Sequence, residues 1–519
     1  MQHSNLLNPR HINFWLLLVF ITGVFLCSIH FLGRSSMWFD ELTCALNVQH
    51  HTYYQLATQS LDYNQVAPVG FLLLEKFATS LFGENDFAFR FFPWIWSLVS
   101  LVLFLNIARH FIKGPVLVAA FILFACSVSH WFYGGEAKQY SGDITASLFL
   151  VWSALQLMKE EINKSTVWLI AGLGFLLIIS SLPAIVIAPF LLSIIFIRLF
   201  KKDVVVSKKH LLLISFCWAI ACAWGAWYAK FVISAKVNGA MSSYWNRGFA
   251  PLESISSYVK WIYTTLTNEF SYFLTFWMKD SVSQITIISK GLLLLSIPGI
   301  IFLTKRYTVA VLLLFSPLLI ALLLATARIL PFDNRVAIYA SWPFIVSGIA
   351  GIIALQNWLP ILFRPKASTV LSLVIALPIF FITIVLPSDR PPFNGQSSQP
   401  VLRELKKQLQ PGDILYVYFK SRHALHFYGP KEGITNYVTG KSYDSIVPFL
   451  KEIDKFKGNK RVWFFFSQWT ERQTFPDSIK SYMGNIIGKE IGRIPDPDGN
   501  KEDLEVAAHL YDLSARDNL

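Results

Sequence analysis

The chain has 519 residues, of which 54% are hydrophobic and 15% charged, and its 45 Lys and Arg outnumber 32 Asp and Glu for a formal charge of +13. A soluble domain of this size cannot hide so much apolar side chain, so the composition excludes an ordinary globular protein and points to the membrane class. A basic excess also fits nucleic-acid binding, and where the cations lie decides between that reading and membrane topology.

Runs of about 18–20 apolar residues are long enough to cross a bilayer. Roughly eleven occur, near 13–32, 91–108, 115–133, 142–158, 166–181, 184–200, 210–233, 284–304, 307–327, 336–356 and 367–387. The first is too long, and too poor in small residues after it, for a cleaved signal peptide, so it reads as a retained span. With the N-terminus inside, the cytoplasmic connections carry Arg109 and Lys113, Lys159 and Lys164, Lys201, Lys202, Lys208 and Lys209, Lys305 and Arg306, and Arg364 and Lys366. That is the positive-inside pattern repeated along the chain. The basic charge therefore sets topology and meets the headgroups of membrane lipids, and nucleic acid has no support. The fold class expected is a polytopic α-helical membrane protein with the N-terminus inside and the C-terminus outside.

The expected domains are a transmembrane domain over 1–387, a linker over 388–400 and an external domain over 401–519. Two long outer loops interrupt the first, at 33–90 and 236–283. "APVGFLLLEKFATSLFG" in the first loop is apolar but short and carries Glu75 and Lys76, so it reads as a helix lying in the interface. "MSSYWNRGFAPLESISSYVKWIYTTL" in the second is aromatic and amphipathic and reads the same way. "LPSDRPPFNGQSSQP" is a linker by its Pro, Gly and Ser. In the tail, "VLRELKKQLQ" and "RHALHFYG" have helical spacing, while "DILYVYF", "NKRVWFFFSQWT" and "LEVAAHLYDL" read as buried strands, giving a small α/β domain outside the membrane. The five cysteines, Cys27, Cys44, Cys126, Cys217 and Cys222, show no metal spacing and read as small buried hydrophobes.

Four polar junctions fall on the outer side. "MWFDE" follows the first span with Asp40 and Glu41, "FAFRFFPWIWS" brings Arg90 to the second, and "DNRVAIY" brings Asp333, Asn334 and Arg335 to the tenth. "HWFYGGEAKQYSGDITA" holds Glu136, Lys138, Gln139, Tyr140 and Asp143; on a helix Glu136, Gln139, Tyr140 and Asp143 would share one face. Charges at the hydrocarbon boundary are costly unless paired and often mark function. Carboxylates with long cations suit a reaction that expels a phosphate-linked leaving group. A carboxylate takes the nucleophile's proton, an effect of about 10²–10⁴ in rate. Arg or Lys stabilises the charge that grows on phosphate.

"MWFDE", "FAFRFFPWIWSLVSLVLF", "EAKQYSGD" and "DNRVAIYASWP" together resemble the GT-C class of polytopic glycosyltransferases, nearest the protein O-mannosyltransferase and aminoarabinose transferase group, over roughly residues 10–360. The resemblance implies an inverting glycosyltransferase that moves a sugar from a polyprenyl-phosphate donor to a hydroxyl or amine acceptor (a protein, lipid or glycan) on the outer face of a bacterial inner membrane. It implies Asp40 as the general base; Glu41, pointing about 100° away on a helix, reads as positioning the acceptor or pairing with a cation. Arg90 is implied on the donor phosphate, with Lys138 and Arg335 matching family positions more loosely. Glu136, Gln139, Tyr140, Asp143, Asn64 and Gln65 are candidates for holding substrate.

Each of these has a plainer alternative. Asp40 and Glu41 would then be a solvated helix cap, Arg90 and Lys138 snorkelling side chains, Arg335 a structural partner of Asp333, and Asn64 and Gln65 water-facing loop residues. His50, His51 and His130 with nearby carboxylates raise the question of a divalent metal. The metal-binding spacings are missing, so no metal or other cofactor is expected. His423 and His426, spaced i, i+3 in the tail, read as surface or partly packed residues. No phosphate-cradling Gly-rich loop appears, which disfavours a nucleotide-sugar donor. A flippase would use the same cations without a base, but the spans are nearly free of ionisable groups at mid-depth. A ligase or polymerase of lipid-linked saccharides is the nearest enzymatic rival, and a non-catalytic assembly subunit working through its tail is the third.

Overall fold

A computed structural model describes residues 9–33, 36–159, 161–200, 207–233, 244–275, 282–360, 366–385, 396–443, 445–467, 474–497 and 506–514. Most of the predicted linker, together with Lys201, Lys202, Arg364 and parts of the 236–283 loop, lies outside the described residues. The chain divides into two compact units, one of Met1–Leu32 with His51–Pro392 and one of Gly33–His50 with Phe393–Leu519.

The first unit is helical, and the predicted apolar runs lie in its helices. Among the described residues, Arg10–Gly33, Asp86–Phe111, Lys208–Ile233, Thr286–Leu314 and Ile338–Trp358 are each long and apolar enough to cross a membrane. The third run is a bent pair, Pro115–Ala125 and Val128–Gly134, broken by 50° at Cys126 and Ser127. The other runs are shorter or more polar helices, among them Tyr140–Leu157, Lys164–Ile179 and Ala184–Phe200. Local chemistry sets many ends. Asn85 and Asn163 accept from the N–H groups of Ala88 and Thr166 at 2.9 and 2.7 Å, and Pro115 and Pro343 occupy first-turn positions where no donor is needed. The eighth and ninth runs are one helix, Val282–Leu314, broken at Tyr307 (φ −141, ψ 49) just after Lys305 and Arg306. The ninth is interrupted again at Phe315, before Ser316–Thr326, so it is not the single span the sequence predicted.

Glycine lets Val282–Leu314 and Pro343–Trp358 approach at backbone distance. A Cβ on Gly299 would lie 1.8 Å from the Ser347 carbonyl oxygen, and one on Gly351 1.8 Å from that of Leu295. Close contact of this kind is the main means by which helices associate in lipid. Gly351→Ala is expected to destabilise by about 1–3 kcal/mol, because backbone rather than a side-chain tip must move. Gly291→Ala, on the same helix as Gly299 but with nothing within 4 Å, is the control and should be neutral or slightly stabilising. Thermal unfolding of the two variants in nanodiscs checks this.

The second unit holds a five-stranded sheet in the order β2-β1-β3-β5-β4, with β1 Ile414–Val417, β2 Val438–Thr439, β3 Val462–Phe466, β4 Lys489–Pro495 and β5 Ala507–Asp512. β1 runs parallel to β2 and β3, and β5 antiparallel to β3 and β4. β3, VWFFF, is buried at every residue, as a central strand should be, and packs with Tyr416, Phe449, Ile453, Met483 and Tyr511. The strands read from sequence are β1, β3 and β5. The edge strands β2 and β4 were missed because they are short or mostly exposed and carry little apolar alternation.

Asp413, just ahead of β1, ties this sheet together. It receives Arg461 Nε and Nη2 at 2.7 and 3.0 Å, Trp463 Nε1 at 3.0 Å and the Gln410 N–H at 3.0 Å. Burial pushes its carboxyl up, but these donors outweigh burial and hold it below the usual carboxylate range. A depressed folded pKa gives stability that is present above the unfolded value, near 4, and lost as pH falls through the folded one. Full-length protein should therefore unfold at lower temperature below about pH 4, and Asp413→Asn should flatten that acid limb while lowering stability at pH 7. A series of melting curves from pH 7 to pH 3 tests both statements.

Candidate active site

The acidic pair opens the Phe39–His50 helix, which belongs to the second unit. Glu41 is fully buried, and its Oε2 accepts the N–H of Trp38, the residue just before the helix, at 3.1 Å. That is the reach-back of a capping box, so one Glu41 oxygen is occupied at the helix start. Adjacent residues on a helix point about 100° apart, and Asp40 is half-exposed. The structure thus separates the two carboxylates the sequence presents together.

The tail holds this helix. Tyr428 Oη accepts the Met37 N–H at 2.7 Å, Ser36 Oγ accepts the Gln399 N–H at 3.0 Å, and His423 meets the Phe39 ring edge-on at 5.2 Å. His423 is buried, not a surface residue. Burial first, then Arg422 and His426, push its pKa down to about 4, so it packs as a neutral ring.

The remaining candidates lie in the first unit. Glu136 to Gln139 form bends and turns rather than helix, and the Tyr140–Leu157 helix starts only at Tyr140. The shared helical face predicted for Glu136, Gln139, Tyr140 and Asp143 therefore does not exist as such; only Tyr140 and Asp143 are helical. A Cβ on Gly135 would meet His30 Cδ2 at 2.3 Å, so the chain just before Glu136 is pressed against the first helix. Glu136, Lys138, Tyr140 and Asp143 are nonetheless all buried.

Lys138 is 4% exposed, and its Nζ donates to Gln65 Oε1 at 2.6 Å. The structure thus joins two sequence candidates 73 residues apart. Among the described residues no carboxylate pairs with this ammonium, although it has three protons to donate. Asn64 is exposed and left-handed (φ 54), as is Tyr63 (φ 60), in a turn closed by the Gln65 N–H on the Asp62 carbonyl at 3.2 Å. Asn tolerates that conformation better than most residues, so turn geometry accounts for it.

Arg335 lies in the turn Asn334–Val336, its guanidinium 5.9 Å from the Tyr140 ring centroid and 5.8 Å from that of Trp245. Asp333 makes an ion pair with Arg247, Nε to Oδ2 at 2.5 Å, a partner the sequence reading did not consider. Glu269, on the Ile255–Thr275 helix, accepts the Asn334 N–H and is buried. Burial pushes its carboxyl well above the usual range, and the Asn334 bond opposes that. The hydroxyls of Tyr133 and Tyr272 bond to each other nearby, within electrostatic reach of Arg335 and Glu136. Arg247, Glu269, Trp245 and Tyr272 were missed because the outer loop that carries them reads as an amphipathic surface helix. Arg90 is buried in the second turn of Asp86–Phe111.

Two of the histidines have structural surroundings. His130 Nε2 lies 2.7 Å from Ser100 Oγ and 3.2 Å from the Ser97 carbonyl, and His51 Nε2 lies 3.8 Å from Asp62. Among the described residues no group of three or more His, Cys, Asp and Glu is placed to hold a metal ion.

No family model and no curated protein matches the chain. Solved structures do. ArnT from Cupriavidus metallidurans in the apo state superposes with a TM-score of 0.50 at 11% identity, covering 96% of this chain and 98% of ArnT. The same protein bound to undecaprenyl phosphate gives 0.51 at 11% identity with the same coverage. An oligosaccharyltransferase from Archaeoglobus fulgidus gives 0.47 at 12% identity, covering 81% of this chain and 64% of that one. Over nearly its whole length the chain has the fold of ArnT, with apolar helices of membrane-spanning length among the described residues and a small sheet near its C-terminal end.

Proposed function

We propose that this protein is an inverting glycosyltransferase that takes a sugar from a polyprenyl-phosphate donor at the outer face of a bacterial inner membrane. The acceptor hydroxyl or amine attacks the anomeric carbon and its proton passes to Asp40. The bond between that carbon and the phosphate oxygen breaks, and polyprenyl phosphate departs with the electron pair. Lys138, Arg335 and Arg90 carry the phosphate; Glu136, Gln65, Gln139, Tyr140 and Asp143 bind the sugar or hold the cations. Glu41 keeps the Asp40 helix start in place.

The observation that carries this reading is Lys138. Among the described residues its hydrogen bond is to a neutral amide; a buried ammonium so placed is costly, and an anion set against it removes that cost. Arg335, from the Asn334–Val336 turn, brings a second cation to within 5.9 Å of the ring of Tyr140, two residues after Lys138. ArnT supports the choice of anion, since its solved structure holds undecaprenyl phosphate.

The test is release of free polyprenyl phosphate by purified full-length protein in nanodiscs, given a panel of polyprenyl-phosphate sugars. Release from one donor in the presence of a mixed acceptor extract supports the proposal. Binding of donors with every one returned intact overturns it in favour of a flippase.

A further inference from the structure

The segment 244–275 of the second outer loop grips 325–335 at many points. The Phe332 N–H bonds to the Gly248 carbonyl at 2.8 Å and the Ala250 N–H to that of Ala325 at 3.3 Å. Tyr258 Oη meets Thr326 Oγ1 at 3.0 Å, and Arg328 Nη2 donates to Asn246 Oδ1 at 2.9 Å. A Cβ on Gly248 would lie 2.8 Å from the Pro331 Cβ and 3.0 Å from the Asp333 Cβ, so the two segments meet where a larger residue would force a shift.

Two further polar contacts fall on the residues immediately before Arg335. Arg247 holds the Asp333 carboxylate, and buried Glu269 accepts the N–H of Asn334, itself in the left-handed region at φ 48. The side chain of Arg247 is 68% exposed. An ion pair with one partner that open contributes little to overall stability. What such contacts can fix is direction: two adjacent residues are pinned from two elements, and the guanidinium of the next lies 5.9 and 5.8 Å from the ring centroids of Tyr140 and Trp245.

We infer that the second outer loop is a clamp, in which Arg247 and Glu269 are positioning residues that aim Arg335 at the anionic head of the donor lipid. The inference rests on the proposed role of Arg335 on that phosphate. Neither Arg247 nor Glu269 need touch the ligand; both act through the Asp333–Arg335 turn.

The experiment is the dissociation constant for undecaprenyl phosphate alone, measured with the full-length protein, alongside the unfolding temperature of each variant. Arg335→Ala is expected to weaken binding about 10-fold or more, the loss of a charge-assisted phosphate contact. Arg247→Ala should weaken it about 3–10-fold with an unchanged unfolding temperature, and the Arg247→Ala/Arg335→Ala double variant should bind no worse than Arg335→Ala alone. Glu269→Ala should weaken binding while Glu269→Gln, which keeps an acceptor oxygen for Asn334, restores it. If Arg335→Ala weakens binding but Arg247→Ala does not, or if the two losses multiply, the clamp is wrong and the phosphate role stands. If Arg335→Ala binds as wild type, the phosphate role of Arg335 fails and the clamp with it. Should Glu269→Ala fail to fold, the surface residue Arg247 decides.

Discussion

Asp40→Asn should reduce sugar transfer by about 10²–10⁴, the contribution of a positioned general base, with expression and membrane insertion unchanged. The substitution is nearly isosteric at a half-exposed helix position, and the carboxylate that caps that helix is Glu41, bonded to the Trp38 N–H at 3.1 Å. Loss of activity in Asp40→Asn can therefore be read as loss of a base rather than of a fold. Glu41→Gln leaves an oxygen for the cap and should retain much of the activity, whereas Glu41→Ala should loosen the helix start by about 0.5–2 kcal/mol. The measurement is donor turnover at saturating and subsaturating acceptor, with undecaprenyl phosphate binding as the control. Full turnover by Asp40→Asn removes it from the role of base.

Lys138→Met should cost about 10²–10³ in turnover, as for removal of one preorganised electrostatic contact, and should weaken binding of undecaprenyl phosphate. Its second consequence is less usual. Lys138 is 4% exposed, and among the described residues its hydrogen bond is to one amide oxygen. Replacing such a group by an apolar residue of similar length is often neutral or stabilising. The variant is thus expected to melt no lower than wild type without ligand and to gain less on adding undecaprenyl phosphate. A lower melting temperature with intact turnover would make Lys138 a structural residue.

The sequence disclosed what burial and period alone determine. The apolar runs lie in helices because membrane-length hydrophobicity allows little else. β1, β3 and β5 were readable because a buried strand shows as an apolar aromatic run, as in Val462–Phe466. Less legible was whatever depends on chain geometry between elements. The stretch from Glu136 to Gln139 has helical spacing yet is not helix, since the Gly134-Gly135 pair before it packs against Ser97 and His30. A pair between Asp333 and its neighbour Arg335 was the plainer alternative for Arg335, but Asp333 makes its ion pair with Arg247, 86 residues away. Glu269 follows a stretch that reads as a helix lying at the membrane surface, and only the tertiary fold shows it buried and bonded to the Asn334 N–H. The pairing of Lys138 with Gln65 joined two residues the sequence had nominated separately, and no spacing rule could have linked them.

The unit that holds Asp40 is discontinuous, and this bears on how the protein is made. The Met37 N–H and its acceptor Tyr428 are 391 residues apart in sequence. At synthesis rates of about 5–20 residues per second, the Phe39–His50 helix emerges roughly 20–80 s before the tail that holds its start exists. A nascent or prematurely terminated chain would carry the acidic helix without Tyr428, Gln399 or His423. Removing the tail by truncation is therefore not a clean way to ask what the tail does by itself: it also releases the helix that bears the proposed base, and point substitutions at Tyr428 and His423 are the better instrument.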